Sequence, residues 1–503
     1  MLRQVLFLCA SLLMAASPCA GAKPPEGPSQ QPFGKGLAES KARASFYQAD
    51  EVQSVYLTVK DKDLKRMVSK LPEIIDVPAT FRWRDNTITK VSIRYKGNSS
   101  SHPNQTHKRS LLIRFDKDRR FFGLRQVSLD NATQFGSLFS EPMITEILRD
   151  HGIKAHRANY ARLYLNNEYR GVYVNVERID ESFLENHFSD PNGALFKVDE
   201  GGPGANLDFM GDDPALYLKT FEAKTASAKK EPTRLVDFIK RINGTEAGEF
   251  AKSLETRMEV DEFLRVMAIM LFSGAFDQLT GWNPHNYFLY HNPVQDRWRY
   301  LPWDLDVGFA ETAFNMILVH ADWNAAWPVP LTGGPNPLVE RIMADPKLLE
   351  RYRKEARKIL AKSFEPEVLC KVIDSKFSLI KDDLKTDPFP PRRSTVPSDR
   401  NYEGIVDSMK EFMRKRYASA ILQLDNPGER PQWDRRPQGP PHQLVTKIQR
   451  IQKGAEEMKR NGLDITPIIR VMEKLGPLVQ GGKFVEAEKL AEEALRLVGE
   501  KGK

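Results

Sequence analysis

The stretch from Asp277 to Phe309 reads DQLTGWNPHNYFLYHNPVQDRWRYLPWDLDVGF. Within it, Tyr287-Phe288-Leu289-Tyr290 and Trp298-Arg299-Tyr300-Leu301 are short aromatic runs of the kind that pair as strands, joined through His291–Arg297 with Asn292-Pro293 as the turn signal. Polar residues punctuate this pair. Asp277 ends an apolar helix, Asn286 opens the first strand, and Asp304 and Asp306 follow the aromatic strand end at Pro302-Trp303. Hard divalent cations take oxygen ligands, and Mg²⁺ at phosphoryl-transfer sites is held by one or two carboxylates, an amide oxygen and the phosphates themselves. Asp304 and Asp306, two residues apart, point the same way from an extended segment. The plainer alternative is that two loop acids cap a turn and Asp277 caps a helix.

Upstream, Val55–Val59, Lys90–Tyr95 and Ser110–Phe115 alternate with the period of two expected of half-buried strands. Ser140–Asp150 switches to helical spacing, with Met143, Ile144, Ile147 and Leu148 on one face; strands return at Tyr160–Leu165 and Val172–Val176, joined by a turn containing Asn166-Asn167. Beyond Pro232 the pattern is mostly helical. Leu235, Phe238, Ile239 and Ile242 form one stripe and Phe263, Val266, Met267, Met270 and Leu271 another, and helices resume at Pro337–Ser363 and Glu403–Leu424. A strand-rich first half followed by a helix-rich second half predicts an α+β fold rather than a doubly wound sheet.

The 503 residues suffice for roughly two to four domains. A net charge of +8 with Lys and Arg mixed among Asp and Glu lacks the basic stripe of a nucleic-acid binder. Residues 1–22 read as an export signal: Arg3, an apolar run from Val5 to Ala16, and a cleavage site at Ala20-Gly21-Ala22. Pro18 before Cys19 argues against a lipid anchor. Cleavage would remove Cys9 and Cys19 and leave Cys370, in an apolar helical setting, as the lone thiol and a core residue. No later run is long and apolar enough to span a bilayer, so the expectation is an exported protein of the periplasm, cell surface or exterior. Residues 23–49 read as a flexible tether, 426–443 as a Pro-rich linker, and 444–503 as a helical hairpin resembling one unit of a tetratricopeptide-like array. Nine His lack zinc spacing, and four N-x-S/T sequons stand at Asn98, Asn104, Asn131 and Asn243.

The same blocks carry a family resemblance. Asn286–Tyr290, Trp298 and Leu301-Pro302-Trp303-Asp304-Leu305-Asp306 resemble the signature of the CotH family, the spore-coat-protein-H type of atypical protein kinase. Arg94-Tyr95-Lys96-Gly97-Asn98-Ser99-Ser100, Lys108-Arg109-Ser110 with Leu111–Phe115, Leu163–Tyr173 with Glu177, Ile179 and Asp180, and Asn336-Pro337-Leu338 through Tyr352 are similar to its other blocks and stand in the same order over about residues 50–425.

The resemblance implies a divergent protein-kinase-like fold of two lobes, strand-rich over residues 50–230 and helical over 231–425, with a nucleotide between them. Carried onto this chain, Asp277 takes the place of the catalytic acid that orients or deprotonates the acceptor hydroxyl, Asn286 that of a metal ligand, and Asp304 or Asp306 that of the metal-binding Asp. Asn283 or His285 could share the role of Asn286. Lys108 is the first candidate for the phosphates, with Glu177 as its ion-pair partner and Arg94, Lys197 and Lys224 as rivals. Phosphoryl transfer needs positioning and neutralised charge more than covalent help, so acids for Mg²⁺ or Mn²⁺, one acid for the acceptor and a Lys form a sufficient set for ATP. Gly97–Ser100 could add phosphate donors or be a plain turn. The implied function is transfer of the ATP γ-phosphate to Ser or Thr of surface or coat proteins. The rival is a non-catalytic surface or coat-associated binding protein or adhesin on the same scaffold; nucleotidyl transfer is a third option.

Overall fold

The computed structural model describes residues 37–97, 101–103, 107–132, 138–281, 284–310, 312–313, 317–318, 323–328, 336–389, 391, 401–429, 442–480 and 483–501. The expected export signal over residues 1–22, Asn98 to Ser100, Asn104, Asn283 and most of the expected linker over 426–443 lie outside the described residues. The chain forms two compact units, whose described parts run from Leu37 to Glu429 and from His442 to Lys501.

The first unit is α+β. Its strands β1 (Val52–Thr58), β2 (Val77–Trp83), β3 (Asn86–Tyr95), β4 (Leu111–Arg114), β5 (Gln126–Asp130), β6 (Ala158–Leu165) and β7 (Glu168–Glu177) close a barrel in the order β1-β2-β3-β4-β5-β7-β6. Neighbours run antiparallel except β1 and β6, whose parallel pairing closes the ring. Closure leaves no sheet edge within the ring. Alternate residues such as Val55, Leu57, Phe81, Ile93, Ile113 and Val127 fill the interior. Asn166 and Asn167 take the positive φ values (52° and 67°) that a two-residue hairpin turn requires. The Asn166 side chain also bonds both backbone groups of Val59, at 2.8 Å each, pinning the turn to the end of β1.

The part of the expected 23–49 tether that lies among the described residues is ordered. Residues 37–46 form helix α1, and Phe46 at its end is fully buried against Trp83 and Phe121 of the barrel. One aromatic anchor and a bond from Arg43 to the Phe122 carbonyl (2.8 Å) order a segment that local composition marks as loose.

The second sheet joins β8 (Ala194–Val198), β9 (Phe221–Ala223), β10 (Tyr287–Asn292) and β11 (Arg297–Pro302) in the order β11-β10-β8-β9. Helices α2 (Asp61–Ser69), α3 (Ser140–Asp150), α4 (Glu181–His187), α5 (Ala226–Lys230), α6 (Thr233–Gly244), α7 (Phe250–Glu255), α8 (Val260–Ser273), α9 (Pro337–Ala344), α10 (Pro346–Ser363), α11 (Pro366–Lys385) and α12 (Tyr402–Asp425) complete the unit. The helix expected over 337–363 is two: Asp345 accepts from the backbone N–H groups of Lys347 and Leu348, and Pro346 starts α10 afresh. α8 is buried on nearly every side rather than on one stripe, which makes it the central helix of the larger core. Cys370 on α11 packs against that core but stays partly exposed, so it is not the fully buried thiol expected. Two sequons are engaged: Asn131 is buried with its amide on the Lys108 carbonyl (2.8 Å), and the Asn243 amide bonds the Leu207 and Ile239 carbonyls (2.8 Å each).

The second unit holds three helices where a hairpin was expected: α13 (His442–Arg460), α14 (Thr466–Gln480) and α15 (Phe484–Lys501). Leu444, Ile451 and Met458 of α13 share a core with Ile468, Val471 and Leu475 of α14 and Ala487, Ala491 and Ala494 of α15. Two helices leave one apolar face bare, and the third covers it.

Candidate functional site

α8 delivers Asp277. The helix ends on Gly274 in the left-handed conformation (φ 67°), and the chain then doubles back so tightly that a Cβ at Gly281 would stand 2.0 Å from the Phe276 carbonyl oxygen. Gln278 spans the turn, donating to the Trp303 carbonyl (2.8 Å) and accepting from the Tyr300 hydroxyl (3.0 Å). Asn286 sits just before β10 with φ 56°, and its amide donates to Asp277 Oδ2 at 3.1 Å. His285 Nε2 lies 3.2 Å from the same oxygen. Asp277 is thus oriented by two neighbours nine and eight residues on.

Asp304 and Asp306 leave β11 on a loop clamped between α3 and α8. The Trp303 N–H donates to the Asn286 carbonyl (2.9 Å), the Ser140 hydroxyl to the Gly308 carbonyl (3.3 Å), and the Phe309 N–H to the Ser273 carbonyl (2.7 Å). Asp304 and Phe309 take φ values of 56° and 54°, sparsely populated for such residues and found where the surroundings over-determine the backbone.

The loop brings acids together from distant parts of the chain. Burial pushes Asp304 up to about 6, helped by the Glu141 and Asp130 carboxylates and opposed by Lys96 and Lys197. Burial also holds Asp306 well above the usual carboxylate range, reinforced by Asp304, Glu141, Asp277 and Asp130. Carboxylates crowded in a desolvated pocket resist ionising together unless a cation joins them. That donor chemistry fits a hard divalent ion. Among the described residues, no three His, Cys, Asp or Glu already surround a point where an ion would sit. A Mg²⁺ held by one or two carboxylates and completed by phosphate oxygens and water needs no such cage.

The basic candidates separate. Lys197, on β8, is the one whose charge acts on Asp304; its ammonium bonds Asp199 (2.5 Å), and burial lowers its pKa to about 8. Lys224 is one step outward, paired with Glu222 at 2.5 Å and close enough to repel Lys197. Arg94 faces Arg114 and Asp76 on the barrel wall. Lys108 is buried, donating to the Val172 carbonyl (2.6 Å) and to Asp387 Oδ2 (2.9 Å). Glu177 meets Arg157 (2.6 Å) and His187 (3.1 Å), so the expected Lys108–Glu177 pair is replaced by two separate clusters.

Four residues of the neighbourhood were not singled out from the sequence. Lys96, just after β3, pairs with Asp130 at the end of β5 (2.5 Å), and the Ser128 hydroxyl also donates to Asp130 (2.6 Å). Glu141 opens α3, and the Arg178 guanidinium stacks on Trp303, 4.7 Å from the ring centroid. Lys96 stands inside the Arg94–Ser100 block, which was the available signal. The other three are united only by the tertiary fold.

Comparison with known families and proteins supports the family resemblance. The profile of the family described as CotH kinase protein matches residues 93–420. "Inner spore coat protein H" of Bacillus subtilis is 24% identical over 371 residues, covering 73% of this chain and 97% of that protein. "Invasin CotH3" of Rhizopus delemar is 24% identical over 284 residues, 54% of this chain and 46% of that protein. "Spore coat protein homolog 1" of the same fungus is 25% identical over 173 residues, 32% and 26% respectively. The chain therefore spans nearly all of the bacterial relative and less than half of each fungal one. Among the described residues, no helix is long and apolar enough to cross a membrane.

Proposed function

This chain belongs to the CotH family, and from that premise we propose that it is an exported atypical protein kinase that transfers the γ-phosphate of ATP to Ser or Thr hydroxyls of coat or surface proteins. The observation that carries this reading is the crowding of carboxylates on the loop after β11: Asp304, Glu141, Asp277 and Asp130 repel the buried Asp306 carboxylate, while Lys96 and Lys197 act on Asp304. A pure scaffold gains nothing from that repulsion. In a kinase-like reading of the fold, the barrel lies over the nucleotide and the α8-centred core carries the acids.

Each group then has a task. Asp277, held by Asn286 and His285, accepts the proton of the acceptor hydroxyl and aligns its oxygen. Asp304 and Asp306 would hold Mg²⁺ or Mn²⁺, which when bound supplies charge neutralisation across the phosphates. Lys197 and Lys96 face the same negative charge from β8 and β3, while Asp130 and Asp199 keep their ammonium groups oriented. Lys108 has no place in this set, since its ammonium is sealed against Asp387. The test is calorimetric titration with ATP in the presence and absence of Mg²⁺. Mg²⁺-dependent binding that Asp304→Asn removes supports the kinase reading; absence of any nucleotide binding refutes it.

A second reading rests on a relative's printed name. One fungal relative is named an invasin, so attachment to a surface, with the scaffold retained and the chemistry lost, is the outcome that an ATP titration showing no binding would favour.

A further inference from the structure

Glu141 and His156 are 1% and 0% exposed, and Glu141 Oε1 lies 2.9 Å from His156 Nε2. Neither side chain is satisfied: Glu141 Oε2 and His156 Nδ1 are buried without a hydrogen-bond partner among the described residues. A core selected for stability alone does better with apolar side chains at such positions, because desolvation of the two polar groups is not fully offset. An arrangement that costs stability calls for another reason to keep it.

What the pair touches supplies that reason. The His156 ring lies against Trp303, centroids 4.9 Å apart and tilted by 52°. The indole is also met by Arg178 at 4.7 Å and by the edge of Phe288 at 6.0 Å, and the backbone of Trp303 is fixed at both ends by Asn286 and Gln278. The next residue is Asp304, in the left-handed region. Glu141 lies in the first turn of α3, His156 stands two residues before β6, and Trp303 follows β11, so two contacts in series link the starts of α3 and β6 to the end of β11 at the candidate site.

We propose that Glu141 and His156 are positioning residues: the carboxylate fixes the imidazole, the imidazole holds the Trp303 ring, and Trp303 keeps Asp304 in the backbone conformation that carries its carboxylate to the acid cluster. The positioning of Trp303 is independent of the activity; its kinetic consequence rests on the kinase reading.

The test uses the full chain labelled with 5-fluorotryptophan. The chain has seven Trp, and the Trp303 resonance is identified by its loss in Trp303→Phe. Glu141→Gln, which keeps the shape and removes the charge, and His156→Leu are each expected to shift or split that line while leaving the others in place. If Glu141→Gln does not fold, His156→Leu carries the same test. An unchanged Trp303 line in folded variants overturns the proposal. In phosphoryl transfer the same variants are expected to lower kcat by about 10- to 100-fold, the scale of a small misplacement at a reacting centre, with the KM for ATP within about twofold. A moved line with undiminished kcat overturns the kinetic consequence. A moved line in a protein whose wild type transfers nothing leaves the positioning intact and removes the kinase reading.

Discussion

Asp387→Ala separates the two roles open to Lys108. In the structure the Asp387 carboxylate is wholly buried and accepts from Lys108 Nζ, the Val172 N–H and the Phe389 N–H, each at 2.9 Å. Gly171 makes room for it, since a Cβ there would meet Asp387 Oδ2 at 2.4 Å. Burial lowers the pKa of Lys108 and Asp387 raises it again, so the aspartate is what keeps the charge tolerable. Removing the carboxylate strands a buried ammonium, which costs about 3–5 kcal/mol. The neighbouring Arg162–Asp383 pair (2.6 Å) is partly exposed and offsets at most about 1 kcal/mol. Adding Lys108→Met to Asp387→Ala removes the stranded charge and should recover about 1–3 kcal/mol, the coupling expected of residues in contact. Urea unfolding of the four chains of this cycle, compared at their midpoints, measures both quantities. A loss below about 1 kcal/mol in Asp387→Ala, or no recovery in the double variant, refutes the buried-pair account. So does Lys108→Met that keeps its stability and loses nucleotide binding, because Lys108 would then act on phosphate.

Other expectations follow from the same contacts. Burial alone would raise the Glu177 carboxyl, but His187 and Arg157 hold it well below the ordinary range. A depressed folded pKa stabilises above the unfolded pKa of about 4.3 and is lost as pH falls below it, so the stability gap between wild type and Glu177→Gln should shrink from pH 7 to pH 3 in urea titrations. Lys197, at about 8, loses its charge as pH rises; ATP affinity should fall between about pH 7 and 9 in wild type and hold in Lys197→Arg, whose guanidinium stays protonated. Phe46→Ala should destabilise the barrel by about 3–5 kcal/mol, read by thermal unfolding, whereas a true tether would tolerate it. A Cβ at Gly454 would stand 2.1 Å from Val498 Cγ1, so Gly454→Leu should lower the stability of the three-helix unit by about 1–3 kcal/mol, seen as faster hydrogen exchange over α13 to α15.

The α+β class was legible in the sequence because strand and helix periods separate cleanly along it: Lys90–Tyr95 alternates, while Phe263–Leu271 turns. The acids Asp277, Asp304 and Asp306 were legible because they bracket a recognisable strand pair. Of their basic counterparts, Lys197 was named only as a rival of Lys108, and Lys96 was not singled out. Lys108 and Lys96 both flank barrel strands, and only the three-dimensional pairing shows that one meets Asp387 and the other Asp130. Glu141 and His156 each look like ordinary polar residues at an element's start, and their burial depends on Trp303 arriving from a segment far along the chain. Helix α13 was masked by the Pro-rich run before it, and α1 by its small polar residues, whose order comes from Phe46 entering the barrel.

The central claim is a phosphoryl-transfer site built on Asp277. Wild type and Asp277→Asn, each shown by thermal unfolding to be folded, are incubated with Mg²⁺ and ATP labelled at the γ-phosphate, together with coat or surface protein as acceptor. Label is expected on Ser or Thr in the wild-type reaction, with a loss of about a hundredfold or more in the variant, the scale on which a general base contributes. Equal labelling by both, or none by either at full nucleotide and metal, contradicts it.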